Sequence, residues 1–383
     1  MNCDDAWRHS KVVKPVGLSN STGIFRRDAN MKEYMYLNAC CMYVTEDGVW
    51  FVQGMCPILY YYSFGERKIT IAQPLYVEET YGTAYFSKIY QKKNMLYIIP
   101  NNASKIVIYD IINHTCDMID VREDIKCNIY RDCYEYNNIL YCIPYKANNV
   151  LLLPMNEQEN IEYINNVIES KSIINSTCRM ENVVYCVLWK TSDILLVDLE
   201  NRLNKKITIE GDHEFTFIYA YSDSIYLYDI VSKSVLVMTK DLKMIIDKIE
   251  VDLEDAYIFR DQYGHLIADS AFSRDIFVID TRNGEIKQIT DCCYNKQNID
   301  YLPWNINTWI NDMKGDVWGI ISNGDLVRAN AEGLYKVGEM KIDLEEYAKI
   351  NRDLYRNNGM CIIQERIGFH LNEYIRGYLL DEI

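Results

Sequence analysis

The chain has 383 residues, 49% of them apolar and 13% aromatic, which is ample material for a large folded core. Its formal net charge of −15 argues against a nucleic-acid partner, because binding to phosphates requires clustered lysine and arginine. The amino terminus lacks the apolar core of a signal peptide, and no run of about eighteen apolar residues offers a membrane span. We therefore expect a cytoplasmic protein without a membrane partner.

Residues 1–35 form a mixed, polar arm without a clear hydrophobic period. The arm is either a flexible lead or the source of a strand that closes the fold of the region after it. We place the first domain boundary after residue 35.

A single pattern dominates residues 36–340. Its clearest copy is residues 94–110, in which an asparagine ends a polar turn, a β-prone run follows, and a second such run comes after a polar bend. Seven copies recur at intervals of 41 to 51 residues. Aligned on a large apolar residue of the first run, they are centred on Phe51, Tyr97, Tyr141, Tyr185, Tyr226, Ile267 and Trp318.

Two further positions keep the same register, which chance clustering of apolar residues would not produce. Three residues before each aligned position lies a Gly, Asn or Asp, the residue types that tolerate positive φ in a tight hairpin. Thirteen residues after it, the second to sixth copies end an apolar run and mark the next turn, at Asp110, Pro154, Asp198, Thr239 and Asp280.

Repeats of this length with about four short strands each are typical of β-propeller blades. The run before each first turn, such as residues 215–219, is predicted to be the inner strand, and the run after each marked turn, such as residues 206–209, the outer one. We predict an all-β fold: a seven-bladed β-propeller of four-stranded antiparallel blades over residues 36–340, with a short α-helical C-terminal tail. The interval lengths are also compatible with six or eight blades.

The repeat unit also resembles known propeller families. The Leu-Tyr pair at 96–97, the polar bend and the Ile-x-x-Tyr-Asp run at 106–110 resemble divergent kelch-type repeats, and residues 265–281 resemble the quinoprotein-like repeat. The Gly-Gly doublet of kelch repeats is missing after Tyr97, and no Trp-Asp dipeptide occurs. The resemblance implies the architecture, and it implies that the loop after the second strand shares a ligand-binding face with the loop between blades. It carries no catalytic residue to this chain.

Blades 3 and 4 each place an aromatic residue and a lysine directly after the second strand, as Tyr145–Lys146 and Trp189–Lys190. If these loops share one face, the four residues are neighbours on an exposed rim. Exposed aromatic side chains frequently anchor protein interfaces. The alternative is that the two rings only cover loop backbone.

The longest connection between blades, residues 290–306, adds Tyr294 and Trp304 to the candidate binding residues. Long loops on rigid scaffolds often carry binding residues. The alternative is a loop that packs over the edge of the ring.

Residues for metal or catalytic chemistry show no recognisable spacing. The five histidines are scattered without an HxH or HExxH motif, so we predict no metal site and no cofactor. The thirteen cysteines form no CxxC motif and are expected to be free, mostly buried thiols. The adjacent pair Cys40–Cys41 is expected to point to opposite faces of its strand, which excludes a joint metal site.

The pattern changes at residue 341 to helical spacing, which continues to residue 383. Asp343 suits an amino-terminal cap, and Leu344, Tyr347, Ala348 and Leu354 recur at helical intervals. A second apolar stripe consists of Ile367, Leu371, Tyr374, Ile375, Tyr378 and Leu379. This extension either packs on the propeller or docks on a partner.

Two function hypotheses follow. The first is a binding scaffold that holds a protein or peptide partner on the loop face. The second is a propeller enzyme, either a lyase, a lactonase or a glycan-active enzyme, with a channel-centred active site assembled from several blades. Carboxylates that converge on the channel would favour the second. The oligomeric state is not predicted.

Overall fold

Seven four-stranded antiparallel sheets form the blades of a β-propeller in this computed structural model, which confirms the predicted fold class. The structure describes the following residues: 25–27, 33–37, 39–54, 56–75, 85–121, 129–155, 160–165, 167–168, 172–251, 256–260, 264–270, 276–289, 309–311, 315–320, 324–330 and 333–350.

Each blade is built from four strands that are consecutive in the chain and pair in that order. Blade 1 consists of β3 (Ala39–Val44), β4 (Gly48–Gln53), β5 (Ile58–Ser63) and β6 (Lys68–Pro74), and blade 2 of β7 (Phe86–Lys92), β8 (Met95–Pro100), β9 (Lys105–Asp110) and β10 (Thr115–Asp120). Blade 3 consists of β11 (Tyr130–Tyr136), β12 (Ile139–Pro144), β13 (Val150–Pro154) and β14 (Glu162–Ile164), and blade 4 of β15 (Ile174–Met180), β16 (Val183–Leu188), β17 (Asp193–Asp198) and β18 (Leu203–Thr208). Blade 5 consists of β19 (Phe215–Tyr221), β20 (Ser224–Asp229), β21 (Ser234–Thr239) and β22 (Ile245–Glu250), blade 6 of β23 (Ala256–Arg260), β24 (His265–Ser270), β25 (Ile276–Asp280) and β26 (Ile286–Ile289), and blade 7 of β27 (Trp309–Asn311), β28 (Val317–Ile320), β29 (Asp325–Asn330) and β30 (Gly333–Glu339).

The predicted turn positions coincide with the ends of strands. All five predicted markers of the second turn are the last residues of third strands. At Asp110 the carboxylate accepts the backbone N–H groups of Ile112 (2.8 Å) and Asn113 (3.1 Å), and Asp198 repeats this arrangement with Glu200 and Asn201. Such side-chain bonds to the backbone fix a tight turn, which explains the aspartate at this position.

The first turn of each blade agrees with the prediction less completely. Positive φ occurs at the predicted position in Asn138, Gly264 and Gly315. In blades 2, 4 and 5 it lies one residue earlier, at Lys93, Glu181 and Ser222. The polar residue after the left-handed one completes these turns, so the residue type marks the turn but not its strained position.

The first strand of each blade is the inner one, as predicted, because first strands contact one another around the axis. In blades 1 to 5 this strand carries a β-bulge at its second residue. The bulged residues are Cys40, Ser87, Arg131, Asn175 and Thr216.

The core is divided into clusters that lie between adjacent blades. Between blades 2 and 3, for example, Tyr97 and Ile99 pack with Leu140 and Cys142. Blades 1 to 5 therefore each bury their two faces against their two neighbours, which is the general rule for repeat architectures.

Segments outside the blades join the two ends of the ring. Strands β1 (Phe25–Arg27) and β2 (Glu33–Tyr36) form a three-stranded sheet with β31 (Lys341–Asp343), which follows blade 7. Met35 and Leu37 are buried in one cluster with Phe51 of blade 1 and Trp318 of blade 7. The predicted arm thus supplies strands at the point of closure.

A short helix, α1 (residues 344–350), follows β31. Asp343 caps it as predicted, since its Oδ1 accepts the N–H of Glu345 at 2.9 Å. Leu344, Tyr347 and Ala348 are buried, so this part of the extension packs on the propeller. Leu354 and the second apolar stripe lie outside the described residues. Among the residues described, no helix is both long enough and apolar enough to cross a membrane.

Candidate functional site

The loop after the second strand and the loop between blades lie on the same side of the ring, here called the loop face. In blade 3, the N–H of Tyr145 donates to the carbonyl of Ile129 in the connection from blade 2, at 2.8 Å. The carbonyl of Tyr145 accepts the N–H of Ile174 at the start of blade 4, at 3.0 Å. These bonds join both kinds of loop, in agreement with what the resemblance implies.

The loop of blade 4 is held by the same pattern. The N–H of Trp189 donates to Ile173 at 2.8 Å, and the N–H of Lys190 donates to Phe215 of blade 5 at 3.0 Å. Tyr145 and Trp189 are therefore bonded to the consecutive residues Ile174 and Ile173, at the point where the connection from blade 3 enters blade 4. The backbones of both aromatic residues are thus hydrogen-bonded to the same short segment on the loop face.

The side chains of these loops combine aromatic rings with cations. The Nζ of Lys146 lies 5.9 Å from the ring centroid of Tyr145, and the Nζ of Lys190 lies 5.8 Å from that of Trp189. Trp189 is 44% exposed, although the strand before it is almost entirely buried. A cation over an exposed ring contributes about 0.5–1 kcal/mol, so these pairs favour one arrangement of each side chain.

Arg131 completes this group, and sequence reasoning missed it. Its guanidinium carbon lies 5.8 Å from the ring centroid of Tyr145. Arg131 is the bulged residue of β11, between the buried Tyr130 and the half-buried Asp132. A polar residue recurs at this position as Ser87, Asn175 and Thr216, and this recurrence was the available signal.

The other two predicted binding residues, Tyr294 and Trp304, lie outside the described residues, as does all of the connection 290–306. Their place on the loop face remains a prediction.

Inner strands of blades 2 to 4 are linked to one another by a polar network. Lys88 Nζ lies 3.0 Å from Asp132 Oδ1, and the Thr177 hydroxyl donates to Asp132 Oδ2 at 3.2 Å. Burial alone would lower the pKa of Lys88, but the Asp132 carboxylate outweighs burial and raises it above its ordinary value. Glu135 is paired in the same way with Lys92, at 3.3 Å. Each of these carboxylates thus has a lysine partner.

A buried carboxylate also organises the loop face of blade 5. Asp229 accepts hydrogen bonds from the Ser232 hydroxyl (2.7 Å) and the N–H groups of Glu214 and Val231, and it lies 2.8 Å from Nδ1 of His213. Ser232 and His213 both contact the same oxygen, Oδ2, so the serine is not presented to the imidazole as in an acyl-transfer triad. The cluster fixes the loop instead.

The described cysteines, from Cys40 to Cys186, are free thiols and mostly buried, as predicted. The prediction that Cys40 and Cys41 point to opposite faces is wrong, because both side chains pack in the cluster between blades 1 and 2. The β-bulge between Ala39 and Cys41 interrupts the alternation of the strand. Within the described part of the chain, no three or more His, Cys, Asp or Glu side chains form a group that could hold a metal ion.

No protein-family model matches the chain, and no curated protein matches it in sequence. Several solved propellers are similar in structure. Virginiamycin B lyase from Staphylococcus aureus has 12% identity and a TM-score of 0.59, with 78% of this chain and 97% of that chain covered. YCF48 bound to D1 peptide has 10% identity and a TM-score of 0.57, with 83% and 99% covered. The WD40 β-propeller domain of Doa1 has 11% identity and a TM-score of 0.53, with 80% and 95% covered.

At these identities the similarity shows the propeller fold alone. The similar structures include an enzyme as well as propellers of other types, one of them bound to a peptide.

Proposed function

We propose that this protein is a binding scaffold that holds a protein or peptide partner on the loop face of blades 3 and 4. The observation that carries the proposal is the exposure of Trp189, 44%, on a loop that is hydrogen-bonded to both neighbouring connections. Tyr145, Lys146 and Lys190 extend this surface, and Arg131 joins it.

The physical argument rests on preorganisation. A large aromatic side chain left in water gains most when a partner removes it from water, and tryptophan is enriched among residues that dominate binding energies. The loop backbone is already fixed by its hydrogen bonds to Ile173 and Phe215, so binding does not have to order it. The rigid ring thus presents a small surface that can bind without folding.

A pull-down from the source lysate tests the proposal. The baits are the wild type and a variant with alanine at Tyr145, Lys146, Trp189 and Lys190. We expect a stoichiometric partner with the wild type and its loss with the variant, and we expect Trp189→Ala alone to remove most of the binding.

The control is Ile112→Ala, which removes another exposed apolar side chain, 65% exposed, from a turn between outer strands. It should retain the partner. A partner that binds all baits equally would contradict this placement. If no bait retains a partner, bound metals and small molecules would be sought next, and the hypothesis of a channel-centred enzyme would gain support.

We also infer a cytoplasmic location and a repeat of the kelch-like or quinoprotein-like type. The free thiols support the first, because disulfides are rare in the cytosol. The Leu-Tyr pair in β8 and the Ile-x-x-Tyr-Asp run in β9 support the proposed repeat type.

A further inference from the structure

The loop face of blades 3 and 4 carries a group of cations, although the net charge of the protein is −15. Arg131 and Lys146 lie within 6 Å of the ring centroid of Tyr145, and Lys190 lies within 6 Å of that of Trp189. Arg131 and Lys190 are exposed and Lys146 is half-buried. They are therefore open to a partner.

These cations differ from the lysines nearby, which have carboxylate partners. Within the ranges that the structure describes, Arg131, Lys146 and Lys190 form no ion pair. The acids closest in sequence to two of them are already engaged: Asp132, next to Arg131, with Lys88 at 3.0 Å, and Asp193, near Lys190, with Lys206 at 3.4 Å. Among the described residues, these three cations are thus left without a carboxylate partner.

We propose that the segment bound on this face is an acidic peptide, whose Asp and Glu side chains meet Arg131, Lys146 and Lys190 while an apolar side chain packs on Trp189. This rests on the proposed function of the face. The rings hold the cations close to fixed positions, which reduces the entropy lost when a carboxylate binds. Arginine and lysine beside an apolar anchor provide both the charge and the area that such a segment needs.

The short length of a peptide favours it over a nucleic acid or an anionic membrane as the ligand of this face. Charges farther apart than the Debye length, about 8 Å at physiological ionic strength, are largely screened. A short acidic segment therefore interacts mainly with the local cations. A nucleic acid or an anionic membrane extends beyond them and meets the surface of a protein that carries 55 acidic and 40 basic residues.

Selection from a library of random displayed dodecapeptides tests the proposal even while the natural partner is unidentified. One bait is the wild type, and a second carries Tyr145→Ala and Trp189→Ala, which removes the apolar part of the face. A third carries Arg131→Gln, Lys146→Gln and Lys190→Gln, which removes only its charge.

A matched control carries Lys205→Gln, Lys248→Gln and Lys287→Gln, the same charge change at exposed residues of outer strands. Peptides that bind the wild type and the control but not the aromatic variant are expected to be enriched in Asp and Glu. A synthetic copy of the leading peptide should bind the charge variant roughly tenfold more weakly, and its affinity for the wild type should fall as salt is raised from 50 to about 500 mM. Melting temperatures of all baits are compared to verify folding.

The outcomes separate the two proposals. Face-dependent peptides that are neutral or basic would overturn the acidic class and leave the scaffold function in place. Peptides that bind the aromatic variant as well as the wild type would overturn both. Binding of an oligothymidylate or of phosphatidylserine vesicles that requires the three cations, without any face-dependent peptide, would assign the face to a different anion and overturn the inference.

Discussion

Gly48 opens the second strand of blade 1 and is buried. It is the first of the seven turn positions predicted from the sequence, but its φ is not positive. A Cβ atom here would lie 2.2 Å from the carbonyl oxygen of Tyr62 and 2.6 Å from the side chain of Tyr61. Glycine is therefore required by the close approach of the next strand and not by the dihedral angle.

We predict that Gly48→Ala lowers the free energy of unfolding by about 1–3 kcal/mol or more, because backbone must move to admit the methyl group. Gly65→Ala in the same blade is the control, since a Cβ there meets only Ser63 Oγ at 3.9 Å. Urea denaturation of both variants measures the difference. Equal losses of stability would show that the contact with Tyr62 is relieved without cost.

Residue types at turns could be predicted from the sequence because a turn is a local property of the chain. Asp110 and Asp198 bond to backbone N–H groups only two and three residues away, and their positions were predicted correctly. The reason for Gly48 could not be predicted, because it depends on Tyr62, in a different strand.

At the scale of elements, the β-bulges of the inner strands limited the prediction of which face each side chain lies on. Period-two alternation places neighbouring residues on opposite faces, but one extra residue breaks that rule. The bulge of β3 explains the wrong placement of Cys40 and Cys41. The bulge of β11 explains the omission of Arg131 from the candidate site. A bulge depends on pairing with the next strand, so a single strand's sequence does not reveal it.

The loop between β20 and β21 provides a prediction with a defined pH dependence. Burial alone would raise the pKa of Asp229, but hydrogen bonds from Ser232, His213 and backbone N–H groups outweigh burial and hold the pKa below its ordinary value. The stabilising contribution of Asp229 is therefore complete above the pKa of an unfolded aspartate, about 3.9, and is lost as the pH falls through the lower folded value.

We predict that Asp229→Asn lowers the free energy of unfolding by about 1–3 kcal/mol at pH 7, and that the difference from the wild type narrows below about pH 4. Urea denaturation between pH 7 and about pH 3 measures it. Asp223→Asn, at an exposed turn of the same blade, is the control. A difference that is constant across this range would contradict the role of the ionised carboxylate.

At the scale of the whole molecule, ring closure depends on segments outside the blades. Strand β2 pairs with β31, and Met35 and Leu37 are buried between the first and last blades. Closure also includes a hydrogen bond of 3.1 Å from Gln53 of blade 1 to the hydroxyl of Tyr347 in α1.

We therefore predict that Leu37→Ala lowers the free energy of unfolding by about 2–5 kcal/mol, in the range of buried leucines, since Leu37 is 0% exposed. Ile112→Ala, at an exposed position, should change it by less than about 0.5 kcal/mol. Denaturation monitored by tryptophan fluorescence measures both. Similar values for the two variants would mean that Leu37 does not contribute to closure.

The propeller fold and its seven blades could be predicted because repetition makes one pattern visible many times. Closure and the candidate site could be predicted only in part. The aromatic–lysine pairs Tyr145–Lys146 and Trp189–Lys190 are visible in the sequence, but the pairing of Tyr34 with Asp343 and the contact of Arg131 with Tyr145 arise only when distant residues meet.

Closure of the ring by residues at opposite ends of the chain also has a consequence during synthesis. Phe51 and Tyr60 of blade 1 are covered in the finished ring by a cluster that includes Trp318 and Tyr347. A ribosome adds about 5–20 residues per second, so this apolar face remains exposed for roughly 15–60 s before the residues that cover it are synthesised. The nascent protein thus passes through a stage with half of an inter-blade core open to water, and molecular chaperones that bind exposed apolar surface would act on it at that stage.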